Sequence, residues 1–247
     1  MLTTLRVRDA EAHELLDETT LDDNALRRNL ADIRHINFLL GWTRFTVCAV
    51  ARYVRANRLV SFSLLDVAGG SADMPLAVAR WAAHAGVSAR IVSTDLSPQI
   101  VRVASQQIER ARRSGVSGAN VSVSAERQDA LALTYPPGSF DIALCTLALH
   151  HFAPDDAVEL LRNMARVARQ VFVFDVERSM LAYIGAVLLT RLAFMNYMTR
   201  HDAPTSVRRA YSAPELRTLA REAGLADARV WVGFPFRLAL EARGQQA

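Results

Sequence analysis

Between residues 61 and 176, short apolar runs alternate with longer stretches of helical periodicity, and this alternation constrains the fold more than any other feature of the chain. Ser63–Val67, Arg90–Thr94, Asn120–Ser124, Phe140–Thr146 and Val171–Asp175 read as strands, the most apolar of them buried on both faces. The stretches between them, about Ser71–Ala85, Pro98–Ser114 and Asp155–Ala168, read as helices. Parallel strands need a crossover connection, so this order predicts an α/β fold with a mostly parallel sheet covered by helices. Local chemistry marks several boundaries. Ser97-Pro98 sets a capping oxygen before a proline at a first helical position, and Ser212 to Glu215 has the form of a capping box. Gly224 stands where a helix ending near Ala223 needs a left-handed residue.

The flanks differ from this core. From about residue 10 to 58 the apolar residues, among them Leu26, Leu30, Ile33, Ile36, Leu39 and Leu40, recur at helical spacing. Residues 1–58 are therefore expected to form a helical cap, and 59–247 the sheet domain. An insertion after the fifth strand, about 178–211, opens with a very apolar helix over Met180–Met198 and ends in a polar stretch with Arg200, His201, Asp202, Arg208, Arg209 and Tyr211. Ala228–Val232 and Phe236–Leu240 flank Gly233 and Pro235 and read as a hairpin closing the sheet edge.

Composition excludes some functions. All 29 basic residues are Arg, scattered without an aromatic-studded stripe, so no nucleic-acid partner is expected. Cys48 and Cys145 lack metal-ligand spacing, and no metal site is expected. The N-terminus carries acids and Arg instead of an apolar stretch, which predicts a cytoplasmic protein. The run Met180–Thr190 stops at Arg191, short of the ~18–20 residues of a membrane span. Peripheral contact of the 180–198 helix with a membrane remains compatible with the pattern, as does a monomer or a homodimer.

The most informative segment is Leu64 to Asp73: an apolar strand, the acid Asp66, a loop of small residues (Ala68, Gly69, Gly70) and a helix start. In open α/β sheets ligands bind beyond the carboxyl ends of the strands. The loop lacks the G-x-G-x-x-G pattern of dinucleotide sites, and an acid at its mouth repels phosphate but suits an ammonium group. Asp95 ends the next strand, where a carboxylate accepts both hydroxyls of a ribose. Asp129, with Ala130, follows the third strand and can accept from an adenine amino group. An amine, a ribose and an adenine without phosphate describe S-adenosylmethionine.

These residues resemble the class I S-adenosylmethionine-dependent methyltransferases, and within them the small-molecule methyltransferases of the ubiquinone-biosynthesis type. The resemblance covers roughly Ser61–Asp175: Leu65-Asp66-Val67-Ala68-Gly69-Gly70 as the glycine-rich loop, Ser93 to Ser97 as the ribose strand, Asp129-Ala130, and Phe140 to Phe152 as the fourth strand and its exit. It implies a Rossmann-like sheet with a reversed last strand, and a cofactor site made of Asp66, Ala68, Gly69, Gly70, Asp95, Leu96, Asp129, Ala130 and Thr146. Ala68 and Ala72 stand where that family usually has glycine, a change tolerable at negative φ.

On the acceptor side, His150 and His151 follow the fourth strand and are candidate bases, with His201 in the insertion a third. The absence of Lys excludes a Lys-Asp-Lys-Glu ribose methyltransferase, and Thr146 to Leu149 replace the Asn/Asp-Pro-Pro-aromatic signature of nucleobase and amide enzymes. What remains is metal-independent O- or C-methylation of a small, largely apolar phenolic, quinone, polyketide or lipid-like acceptor. Two other readings fit the same residues: a non-catalytic subunit with a degenerate loop, and a nicotinamide-dependent oxidoreductase.

Overall fold

The computed structural model describes residues 5–18, 21–115, 120–193 and 195–245. After the helices α1 (Asp23–Leu39) and α2 (Trp42–Ala56), the chain runs β1 (Ser61–Val67), α3 (Asp73–Ala85), β2 (Ser88–Asp95), α4 (Pro98–Arg113) and β3 (Val121–Arg127). It continues with β4 (Phe140–Thr146), α5 (Pro154–Val167), β5 (Ala168–Val176), α6 (Met180–Leu192), α7 (Tyr197–Arg209), α8 (Ala213–Glu222), β6 (Arg229–Gly233) and β7 (Arg237–Arg243). The seven strands form one sheet in the order β3-β2-β1-β4-β5-β7-β6, an α/β fold in which β1 to β5 are parallel and β7 is reversed.

The strand order turns at β1 and β4, which opens a crevice beyond their carboxyl ends. Apolar side chains fill both faces. Leu65, Val92, Ala143 and Val173 pack against α5 and α8, while Leu64, Ile91, Ile142 and Phe172 pack against α2 and α3. β7 lies between β5 and β6 instead of at the edge, with Val173 opposite Leu240. The residues explain this placement: Leu238, Ala239 and Leu240 are fully buried, whereas β6 carries half-exposed Val232.

Two departures from the sequence reading shape the site. The first is at the N-terminus, where regular helix begins only at Asp23; residues 5–18 run as a strap with a single 3-10 turn at Leu15–Asp17. Its backbone finds partners elsewhere: Leu15 and Leu16 donate to the Asp202 carboxylate at 2.8 and 3.1 Å, and Asp9 donates to the Arg208 carbonyl at 3.0 Å. Those tertiary bonds replace the helical ones. The second is in the insertion, where the apolar helix stops at Leu192 rather than reaching Met198. Asn196 caps α7 by accepting from Met198, and its amide donates to the Ala25 carbonyl of α1 at 2.9 Å, so the chain turns there.

The apolar character of α6 serves two surfaces. Ala182, Gly185, Ala186 and Leu189 face inward to a cavity, while Leu181, Leu188 and Leu192 are exposed. Among the described residues, no helix is long and apolar enough to cross a membrane.

Candidate functional site

The loop after β1 has a backbone that only tight geometry can hold. A Cβ at Gly69 would stand 2.2 Å from Asp66 Oδ2 and 2.3 Å from Ser93 Oγ, so this position admits only glycine. The Gly69 N–H donates to the Thr94 carbonyl at 2.8 Å, and the Gly70 N–H to Asp95 Oδ2 at 3.2 Å. Ala68 and Ala72 sit at φ +54° and +61°, not at the negative φ that an alanine would prefer. Left-handed backbone costs an L-residue about 1–2 kcal/mol, and the surrounding hydrogen bonds impose it here. The loop therefore keeps the path glycine would take at both positions, which argues against a collapsed, degenerate site.

Three buried polar atoms near these strand ends lack a protein partner: Asp66 Oδ1, Ser71 Oγ and Thr146 Oγ1. Asp66 is 1% exposed, and its other oxygen meets only the Ser93 hydroxyl at 3.4 Å. Burial, then the nearby Asp73 and Asp95, hold its carboxyl well above the usual range. Burial also raises Asp73, against a bond from Asn37, and raises Asp95, against the N–H groups of Ser97 and Gly70. A buried acid raised by two half-buried neighbours suits a ligand bringing positive charge and hydrogen-bond donors.

The remaining members of the expected cofactor set lie along the same edge. Leu96 is largely exposed beside Asp95, and the Gln128 N–H donates to the Asp95 carbonyl at 3.2 Å, which ties the Asp129 turn to the end of β2. Asp129 is exposed and accepts from the Leu131 N–H at 2.9 Å, while Ala130 is buried beneath it. Thr146 ends β4 beside β1.

Next to this edge α1, α6, α7 and the strap enclose a cavity of about 310 Å³. Ile33, Ile36, Leu40, Trp42, Leu147 and Leu189 give it an apolar wall. Its polar end is Glu14, His150 and His151. A groove of similar volume between α5 and α8 is open and polar and lies away from the strand ends. Leu147, the first residue after β4, has φ +56°, and this left-handed step turns the chain into the short 3-10 segment Leu149–His151 that carries both histidines.

His150 is buried and held twice by Asp175 at the end of β5. Its N–H donates to Oδ2 at 2.9 Å, and its ring Nδ1 lies 2.7 Å from Oδ1. His151 stacks on it with ring centroids 4.4 Å apart, and its Nδ1 lies 2.7 Å from Asp17 Oδ1. Burial draws His151 down, but Glu14 and Asp17 outweigh burial and push it up to about 9. Arg209 joins the group by donating to Glu14 at 3.4 Å, to Asp17 at 2.5 Å and to the His151 carbonyl at 2.8 Å.

His201 does not belong to this group. It is half-exposed, off the cavity wall, and bonded through Nδ1 to Asp202 at 2.9 Å. Adjacent side chains do meet here, because Asp202 is held inward by the strap. Sequence reasoning missed Glu14, Asp17 and Asp175. Glu14 is far from the histidines in sequence and carries no motif, whereas Asp175, an acid ending a buried strand, gave the same signal as Asp66 and Asp95.

Residues 64–171 match a family model described as a methyltransferase domain. Among solved structures, the chain resembles magnesium protoporphyrin IX methyltransferase from Synechocystis PCC 6803 with bound SAH, at 19% identity and TM-score 0.54, over 83% of this chain and 84% of that one. A SAM dependent methyltransferase from Aquifex aeolicus aligns at 14% identity and TM-score 0.57, over 92% of this chain and 100% of that one. Human N-acetylserotonin methyltransferase in complex with SAM aligns at 14% identity and TM-score 0.61, over 91% of this chain and 57% of that one. No curated protein matches by sequence.

Proposed function

We propose that this chain, a class I methyltransferase by the domain it carries over residues 64–171, transfers the methyl group of S-adenosylmethionine to a small, largely apolar acceptor. The observation that carries this reading is the cavity beside the carboxyl end of β4, apolar on its walls and polar at one end.

The residues fit the cofactor. Asp66, with an unpartnered buried oxygen and a carboxyl raised by its neighbours, would take the ammonium group of the methionine moiety. Asp95 would take the ribose hydroxyls, Leu96 would cover the adenine, and Asp129 would accept from its amino group. The cofactor supplies an electrophilic methyl on a sulfonium. Ala68, Gly69 and Gly70 would let the backbone approach it closely.

Transfer to an acceptor is an in-line displacement, so holding the attacking atom behind the methyl carbon supplies most of the rate. Cavity walls from α1 and α6 would hold an apolar ring, and the polar end would receive its oxygen. A volume of about 310 Å³ suits a compact ring system, since ligand pockets start near roughly 300 Å³. A hydroxyl or an activated ring carbon would serve as nucleophile.

Calorimetric titration with S-adenosylhomocysteine tests the cofactor half of the reading, with micromolar binding as the expected result. A screen of phenolic and hydroxyquinone acceptors with radiolabelled S-adenosylmethionine tests the other half. Absence of binding would overturn the enzyme reading.

A further inference from the structure

We infer that Glu14, His150 and His151 form a site for one divalent transition-metal ion at the polar end of the cavity. The reading of these histidines as bases, and of the reaction as metal-independent, gives way here to a different arrangement of the same atoms. Each residue offers one ligand atom, and the three atoms lie within 4.8 Å of one another. His150 Nε2 faces Glu14 Oε1 at 3.6 Å, and His151 Nε2 faces Glu14 Oε2 at 3.8 Å. Both distances are too long for hydrogen bonds. Donors sharing an ion at roughly 2.0–2.2 Å stand roughly 3–4 Å apart, so small side-chain shifts complete the set.

The outer partners argue the same way. Asp175 and Asp17 each lie 2.7 Å from the Nδ1 of one histidine. An ionised carboxylate only accepts, so each Nδ1 carries the proton and each Nε2 turns toward Glu14. Carboxylate–histidine pairs of this kind orient metal ligands and fix their tautomer. Two such pairs, stacked and aimed at a third carboxylate, are more than the positioning of a single base requires. Glu14 is itself fixed: Ser206 donates to Oε2 at 2.8 Å, and Arg209 approaches Oε1 at 3.4 Å.

Three protein ligands leave coordination positions open, and all three residues line the cavity. The class of acceptor follows: a compact ring carrying a hydroxyl, with a second oxygen beside it to complete a chelate. Bound to the ion, the hydroxyl loses its proton to water. The oxygen then forms its bond to the methyl carbon as the carbon–sulfur bond breaks, and that electron pair stays on sulfur. This role rests on the methyltransferase reading, whereas the ion site rests on geometry alone.

The test is titration of the purified full chain with cobalt(II), followed by its visible d–d absorption, with S-adenosylhomocysteine titrated separately. One equivalent of cobalt should bind with a saturable spectrum. Glu14→Gln and His151→Ala should each weaken it by about 100-fold or more, and Asp17→Asn by about 10–100-fold, the range for an outer partner. Binding of S-adenosylhomocysteine and the melting temperature show that each variant remains folded. If one variant fails to fold, the others carry the comparison. No saturable spectrum, or one unchanged in all three variants, overturns the site. Cobalt binding without cofactor binding would instead overturn the function and leave the site standing.

Discussion

Asn37 of α1 donates its side-chain amide to Asp73, the first residue of α3, across 2.8 Å, and thereby joins the cavity wall to the loop after β1. Asp73 is half-buried, and its remaining bonds come from the backbone N–H groups of Asp73 and Met74. Replacing Asn37 by Ala would leave that carboxylate without its amide, at a cost of about 1–3 kcal/mol. Urea denaturation should show the loss. Affinity for S-adenosylhomocysteine should fall with it, because the two walls of the crevice are then no longer fastened.

Asp66 should trade stability for binding. Its folded carboxyl titrates above the unfolded one, so the folded state holds the proton more tightly. Stability of the cofactor-free chain is therefore greatest at acid pH with respect to this group, and declines as pH rises through the raised value. Asp66→Asn removes the buried charge and should stabilise the free protein at pH 8 by about 1–3 kcal/mol, with little effect near pH 4. Thermal melting at both values checks this. Binding of S-adenosylhomocysteine should be lost, and in the parent it should weaken as pH falls and Asp66 takes up its proton.

Ala68→Gly and Ala72→Gly should behave differently although both relieve a left-handed alanine. Ala68 is only partly buried, so relief of the backbone should stabilise by about 0.5–1 kcal/mol after the greater freedom of the unfolded glycine is subtracted. Ala72 packs its methyl against Leu76, Ala104 and Ile108, and losing a buried methyl costs about 0.8 kcal/mol. That change should be close to neutral. Chemical denaturation of the two variants separates backbone strain from packing.

Gly185 offers a way to close the cavity without touching the loop. It lies mid-helix in α6 on the cavity wall, and a Cβ there meets nothing within 4 Å. Gly185→Phe should fill acceptor space and raise KM for the acceptor at least ~10-fold, while calorimetry with S-adenosylhomocysteine stays unchanged. Equal loss of both would mean that the cavity belongs to the cofactor.

The sheet and the acids at its strand ends were legible because each rests on local signals. Phe140–Thr146 is a strand in both readings, since seven consecutive residues carry its pattern. Asp66 and Asp95 announce themselves as acids ending apolar strands ahead of small-residue or Ser-Pro turns. The acceptor end was only half legible. His150 and His151 stand out in sequence, but Glu14 and Asp17 reach them from a strap held by its own Arg8 on the His150 carbonyl and by Asp202 and Arg209, all partners far from it in sequence. The break at Asn196 was hidden for a similar reason, because its amide bonds a helix more than 150 residues earlier in the chain. Helical periodicity describes only one segment at a time.

The strap also divides the scaffold from the polar end of the cavity. The sheet and its covering helices are complete without residues 5–18, whereas the polar end of the cavity is not, because Glu14 and Asp17 arrive on that segment. Its partners stand on three other elements, since the histidines follow β4, Asp175 ends β5 and Arg209 ends α7. The sheet and the polar end of the cavity are thus separable: the segment that completes the one contributes no strand to the other.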